Sequence, residues 1–222
     1  MPPPPEYLAR VREICDKNDI LLVADEVQSG FGRTGKMFAI EHWGVRPDIL
    51  IMAKGIANGF PLSGIVSRKE LMDMQKPGSM GGTYAGNAVS CAAGVAVAKA
   101  FQDERILDNV AARGAELRAM LDAAKRDPKL GKVVYDVRGL GLMLAMECTG
   151  GRGYASKIQA KCMSKDMLVL TTSIYDTIRF IPPLNITKED MAKGCQIIKE
   201  AIEEVAAGER PEETGTRGQA LG

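Results

Sequence analysis

Residues Asp48–Gly59 read DILIMAKGIANG. Ile49, Leu50, Ile51 and Met52 form an apolar run of strand length, followed by Lys54 with Gly55 and Gly59 close behind. A short continuous apolar run bounded by turn signals is the pattern of a strand covered on both faces, as in a parallel sheet. Ile20–Ala24 (ILLVA) is another such run, and Leu62–Ser67 a third, weaker one. Helical segments fall between and after them, near Lys36–His42 and Arg68–Met74. In front, an extended PPPP lead-in precedes a helix over Tyr7–Lys17, with Leu8, Val11, Ile14 and Cys15 on one face. This alternation predicts α/β layering.

Farther on, Gly86–Phe101 (GNAVSCAAGVAVAKAF) is apolar nearly all round and rich in small residues, which predicts a buried helix. Asp103–Lys125 continues as an amphipathic helix with Ile106, Val110, Leu117 and Leu121 at helical spacing. The remainder alternates differently. Strands are expected at Val133–Val137 and Leu140–Glu147, joined by Arg138 and Gly139. A helix follows at Tyr154–Lys165, then strands at Leu168–Thr171 and Thr177–Ile181, the latter ended by Pro182 and Pro183. Thr187 caps a last helix reaching about Val205, with Asp190 as its acidic partner. The expected organisation is therefore a first domain over 1–104, a smaller α+β domain over 105–207, and a polar, Gly-rich, disordered tail over 208–222.

Bulk properties exclude several classes. In 222 residues, 45% are hydrophobic and 26% charged, an ordinary globular balance, and the net charge of +1 points to neither nucleic acid nor anionic membrane. No apolar run reaches membrane-spanning length, and MPPPPEYLAR is not a signal peptide. Five scattered cysteines without a CxxC argue against a zinc site and for reduced thiols in a cytoplasmic compartment. His42 is a lone histidine with no acid at catalytic spacing and reads as a surface or helix residue; Trp43 beside it reads as packing.

Chemistry gathers at strand ends. Ile20–Ala24 delivers Asp25 and Glu26, and Ile49–Met52 delivers Lys54, at carboxyl ends where open parallel sheets bind ligands. Lys54 is either a snorkelling surface lysine or a reactive amine held partly dry, and Asp25 with Lys54 either a salt bridge or a site. Thr83, in the glycine loop GGTYAGN before a helix, suits a phosphate or is an ordinary capping threonine. Arg179, inside TIRFIPPL, faces either water or a pocket where its fork takes a carboxylate. Gly30–Gly35 (GFGRTG) matches GxGxxG, but Asp25 and Glu26 at the strand tip would repel a pyrophosphate, and too few residues separate Gly35 from Asp48 for a full crossover helix.

Taken together, LLVADEVQSGFGRTGKMFA (Leu21–Ala39), PDILIMAKGIANGFPLSG (Pro47–Gly64), GTYAGNAVSCAAG (Gly82–Gly94), VRGLGLMLAMEC (Val137–Cys148) and IRFIPPLNIT (Ile178–Thr187) resemble the class III (ω-) aminotransferases, in that family's order. They look most like its 4-aminobutyrate aminotransferase-like members. The resemblance implies an α/β fold: part of the fold-type I pyridoxal-phosphate transferase large domain, with a mostly parallel sheet, plus a C-terminal α+β small domain. It implies pyridoxal 5'-phosphate as cofactor, held by Lys54 as a Schiff base, with Lys54 also moving the proton at the substrate's Cα. It further implies Asp25 at the pyridinium nitrogen, Val27 on the ring face and Gln28 near the ring hydroxyl. Thr83 would reach the phosphate of a partner subunit's cofactor, which implies a homodimer, and Arg179 would bind the substrate carboxylate.

The expected reaction passes an amino group from a small-molecule donor to an oxo acid, with no nucleic acid, membrane or metal involved. The resemblance starts partway through the family's large domain. The sequence is therefore expected to be the family's C-terminal portion, without the N-terminal arm, the phosphate-binding glycine turn or the ring-stacking aromatic, and with apolar sheet edges left bare. Activity of the chain alone is then expected to be weak or absent unless another chain completes the site, and a mitochondrial targeting segment would fall in the part not present. The alternative is a non-catalytic aminotransferase remnant that serves as a binding or dimerisation module; a nucleotide-dependent oxidoreductase resting on GFGRTG ranks below both.

Overall fold

The computed structural model describes residues 2–79, 81–149, 151 and 153–208; beyond Gly208, the expected tail lies outside the described residues. Helix α1, Tyr7–Lys17, leads into β1, Val23–Asp25. β2 (Ile49–Met52) and β3 (Gly64–Ser67) complete a three-stranded sheet in the order β1-β2-β3. β1 and β2 are parallel, with Asp25 opposite Ile51, whereas β2 and β3 are antiparallel, with Met52 opposite Gly64. The connection from β2 to β3 holds only the 3-10 turn Lys54–Ile56, too little for the crossover a parallel return requires. The helical stretch expected at Lys36–His42 is a 3-10 turn, Ala39–Trp43, and α2 spans Lys69–Met72.

Asp48 gathers the entry end of this sheet. One carboxylate oxygen accepts from the Leu22 N–H at 2.8 Å and from Arg12 at 2.7 Å; the other pairs with Arg68 at 3.1 Å. These donors, the Leu22 N–H foremost, hold its pKa below the usual carboxylate range.

Burial in this half departs from the expectation. Ile20, Leu21, Val23, Ile65 and Val66 are exposed, so the run at Ile20–Ala24 is not covered on both faces among the described residues. β1 pairs only with β2 and keeps there the bare edge that was expected. Ile14 of α1 is also exposed. α3 (Ala88–Asp103) is not a buried helix either: Ser90 alone is buried, and Val89 and Val95 face outward. Its N-cap is Asn87, whose side chain accepts from the Ser90 N–H, rather than Thr83. Arg105, at φ 49°, breaks the chain between α3 and α4 (Ile106–Arg126), where continuous helix was expected.

The second sheet comprises β4 (Val134–Leu140), β5 (Met143–Cys148), β6 (Leu170–Thr171) and β7 (Thr177–Phe180) in the antiparallel order β4-β5-β7-β6. The β4–β5 turn falls at Gly141–Leu142, not at Arg138–Gly139. Arg138 stays in the ladder because its guanidinium finds Glu147 at 2.5 Å and Asp136 at 3.3 Å along the same face. Helices α4 and α5 (Tyr154–Met163) pack on this sheet, and α6 (Lys188–Ala207) packs against α4 and α5. Thr187 caps α6 as expected, accepting from the Asp190 N–H at 3.0 Å.

The buried cluster runs from Ile106 to Val205, with Val110, Leu121, Met146, Ile158, Ile178 and Ile202 fully enclosed. Each such side chain contributes about 1.5–3 kcal/mol by burial. No helix of the described residues is long and apolar enough to cross a membrane.

Candidate active site

Because β1 and β2 run parallel, their carboxyl ends lie on one side of the sheet. Asp25 is the last residue of β1, and the Glu26 N–H still donates to Ile51 O at 3.0 Å before the chain turns away. The turn is built around Glu26. That carboxylate is 3% exposed and accepts from the Ile40 N–H at 2.7 Å and from the Ser29 hydroxyl, while its carbonyl accepts from the Gly30 N–H at 2.9 Å. Glu26 is thus committed to folding the loop. Asp25 uses one oxygen to accept from the Val27 N–H at 3.0 Å. Asp25 and Gln28 stay exposed and Val27 is half-buried.

Lys54 lies just past β2, on the same side as Asp25. Its backbone is left-handed at φ 47°, a conformation that costs a non-glycine residue about 1–3 kcal/mol and collects at functional sites. The residue after it is in tight contact with the GFGRTG loop: a Cβ on Gly55 would lie 2.8 Å from the Phe31 Cβ. The amine is exposed rather than partly dry, and no hydrogen bond or ion pair engages it among the described residues. The simple Asp25–Lys54 salt bridge does not form.

Two neighbouring cavities meet here. The first, of about 560 Å³, is lined by Asp25, Glu26, Arg138, Tyr175, Thr177 and Arg179 among others. The second, of about 630 Å³, is lined by Val27, Gln28, Arg33, Lys54 and Asn58 among others. Met143 and Ile181 belong to both walls. Five of the six expected site residues therefore surround one pair of adjoining hollows. Thr83 does not join them; it is exposed in the loop before α3 and lines neither.

The open question about Arg179 resolves toward the pocket. Its strand neighbours Ile178 and Phe180 point into the core, which turns Arg179 and Thr177 to the cavity side. Arg138 in the same cavity is neutralised by Glu147 and Asp136. Among the described residues no carboxylate pairs with Arg179, which leaves its fork available for an anion. The Thr177 hydroxyl is buried there without a partner among those residues.

Sequence reasoning did not find Thr177 or Arg138, and it read the Arg33–Thr34–Gly35 turn as structural, shaping the loop after Gln28, without its tie to the second sheet. The period of two along TIRFI was the available signal for Thr177. Arg33 Nη1 donates to Pro182 O at 2.6 Å and to Leu142 O at 3.3 Å, tying the GFGRTG loop to the second sheet. His42, exposed as expected, bonds to Thr34 in this loop at 3.1 Å. GFGRTG therefore serves as a joint between the two halves of the chain.

The donor set fits pyridoxal phosphate at two of its three ends. An aldehyde needs a primary amine with no competing partner, which Lys54 supplies, and a protonated ring nitrogen needs a carboxylate with a spare oxygen, which Asp25 supplies. Among the described residues, no cradle for the phosphate is completed beside them.

Comparison with known proteins identifies the family. A family model described as Aminotransferase class-III matches residues 1–202. The 5-aminovalerate aminotransferase DavT of Pseudomonas putida is 42% identical over 93% of this chain and 49% of its own length. The 4-aminobutyrate aminotransferase GabT of Escherichia coli is 39% identical over 90% of this chain and 48% of its own. A solved ornithine aminotransferase of Toxoplasma gondii, described with partial occupancy of PLP at its active site, superposes with a TM-score of 0.85 at 33% identity, covering 92% of this chain and 48% of that one. The chain spans about half the length of the curated relatives it matches.

Proposed function

Since this chain belongs to the class-III aminotransferase family, we propose that it serves pyridoxal-phosphate-dependent transfer of an amino group from an ω-amino acid or amine to an oxo acid. The observation that carries this reading is an unpaired lysine, in a left-handed backbone at the carboxyl end of β2, beside a carboxylate at the carboxyl end of parallel β1. When bound, pyridoxal phosphate supplies an aldehyde and a ring that accepts electrons from the substrate carbon bearing the amine.

The chain's own residues do the rest. Lys54 Nζ would hold the aldehyde and, once free, would act as the base that takes the proton from the donor's amine-bearing carbon. Asp25 would accept the ring N–H and keep that nitrogen protonated. Val27 would pack on the ring, and Gln28 would hydrogen-bond near the ring hydroxyl. Arg179 holds a substrate carboxylate in the first cavity while the amino end reaches Lys54 in the second. Separate hollows for the two groups suit a donor whose amine and carboxylate lie at opposite ends, as in 4-aminobutyrate.

In the same reading, residues 1–104 form the cofactor-side domain and 105–207 the small domain, which is supported by a core cluster confined to Ile106–Val205. Thr83, exposed and outside both cavities, suits contact with the cofactor phosphate of a second copy in a homodimer. All five cysteines are free, which suits a cytoplasmic setting.

The test is glutamate formation from 2-oxoglutarate with 4-aminobutyrate, 5-aminovalerate or N-acetylornithine as donor and pyridoxal phosphate present. Turnover with at least one donor, weak unless another chain completes the site and abolished by Lys54→Ala, is the expected result. A chain that retains the cofactor yet turns over none of them would refute catalysis and favour the binding-module alternative, to which the bare apolar faces of Val23, Ile65 and Val66 would then belong.

A further inference from the structure

Arg33 belongs to neither strand tip, yet it touches both sides of the site. Its own loop continues from Gln28, and it lines the cavity that holds Lys54. Its Nη1 donates at 2.6 Å to the carbonyl of Pro182, three residues beyond Arg179 on the segment leaving β7. It also donates to Leu142 O, and the Leu142 N–H answers with a bond to Arg33 O at 3.1 Å.

Around this clasp, backbone lies on backbone. A Cβ on Gly141 would stand 2.4 Å from the Thr34 carbonyl carbon and 2.6 Å from Gly35 N, and a Cβ on Gly114 of α4 would stand 2.6 Å from Gly141 O. The arginine is drawn out of water far enough that burial lowers its pKa. Among the described residues no carboxylate compensates it; its bonds go to carbonyls of the second sheet's turns. A stiff, desolvated guanidinium whose Nη1 is spent on two backbone acceptors fixes a distance rather than neutralising a charge.

We propose that Arg33 is a positioning residue that sets the separation between the amine of Lys54 and the guanidinium of Arg179, and with it the length of substrate the site prefers. The proposal rests on the reading of Lys54 and Arg179 as the two ends of the substrate site. It extends that reading to a residue touching neither substrate nor cofactor.

The experiment uses the whole chain and two unreactive dicarboxylates of different length, glutarate and the longer adipate, offered to the two cations. Affinities are measured calorimetrically for the wild type, Arg33→Ala, Arg33→Lys, Arg179→Ala and the Arg33→Ala/Arg179→Ala double variant. Arg179→Ala should weaken glutarate about tenfold, as for loss of a charged hydrogen-bond partner. Arg33→Ala should weaken it about fivefold and bring the glutarate-to-adipate ratio toward one, and the double variant should bind like Arg179→Ala, because residues acting through one contact are not additive. Arg33→Lys, which can still reach one carbonyl, should restore part of the length preference. If Arg33→Ala fails to fold, Arg33→Lys carries the comparison, and an unchanged ratio in that variant overturns the proposal. A weaker Arg179→Ala beside a wild-type ratio in the Arg33 variants overturns it alone. Glutarate binding indifferent to Arg179 overturns both this proposal and the reading beneath it.

Discussion

Replacing Gly141 by alanine tests the joint between the two sheets where it is tightest. Gly141 sits at φ 54°, where an alanine costs about 1 kcal/mol or slightly more. The new Cβ would lie 2.4 Å from Thr34 C, 2.6 Å from Gly35 N and 2.8 Å from Thr34 O. All three are backbone atoms, which cannot rotate away as a side-chain end can. Restoring ordinary contact at about 3.5 Å means moving the turn or the loop by about 1 Å. Forced overpacking of this kind costs about 1–3 kcal/mol, so the sum is about 2–4 kcal/mol. Gly44→Ala is the matched control: its φ is 63°, and nothing lies within 4 Å of its Cβ, so the conformational cost acts there alone. Urea unfolding of the wild type and both variants, with unchanged m-values, measures the difference. If Gly141→Ala and Gly44→Ala agree within about 0.5 kcal/mol, the close approach carries no energy and the joint is loose.

Other outcomes follow from the same structure. Ile202→Ala, at a fully enclosed position, should lose about 2–5 kcal/mol in the same urea assay. Asp48 has a depressed folded-state pKa, so its stabilising effect is present above the ordinary carboxylate pKa and lost as the pH falls through the folded one. The stability gap between wild type and Asp48→Asn should therefore be full near neutrality and close progressively below about pH 4 in acid titrations of the melting temperature. Burial pushes the Cys148 thiol up to about 12 and Cys162 up to about 11, whereas Cys91 is exposed. Iodoacetamide at pH 8 should modify Cys91 in the native chain and reach Cys148 and Cys162 only after unfolding, as read by peptide mass spectrometry.

The helices of the second half were legible because their partners lie in the same stretch of chain. Ile106, Val110, Leu117 and Leu121 are buried against the sheet that follows them. The run at Ile20–Ala24 and the small-residue helix α3 read as buried, yet their apolar faces stay exposed, since pattern reports a preference for burial without naming what covers it. The β4–β5 turn was misplaced because two glycines, Gly139 and Gly141, offered the same signal, and a cross-strand charge pair at Arg138 decided between them.

At the site, the placement of Asp25 and Lys54 on one side was legible from strand ends, because parallel pairing brings such ends together, whereas their roles came only from the family resemblance. Arg179 was ambiguous until its neighbours' burial fixed its face. Arg33 was illegible for a different reason. Its acceptors are carbonyls 109 and 149 residues away, and a backbone acceptor leaves no mark in the sequence.

The central claim is that Lys54 is the amine which takes the cofactor, and chemical trapping tests it most directly. The chain is mixed with pyridoxal phosphate, reduced with borohydride and mapped by mass spectrometry, with Lys54→Ala alongside. The account predicts one pyridoxyl group on Lys54, absent from the variant and weakened by Asp25→Asn. Label spread over exposed lysines such as Lys36 and Lys69, and unchanged by Lys54→Ala, would contradict it.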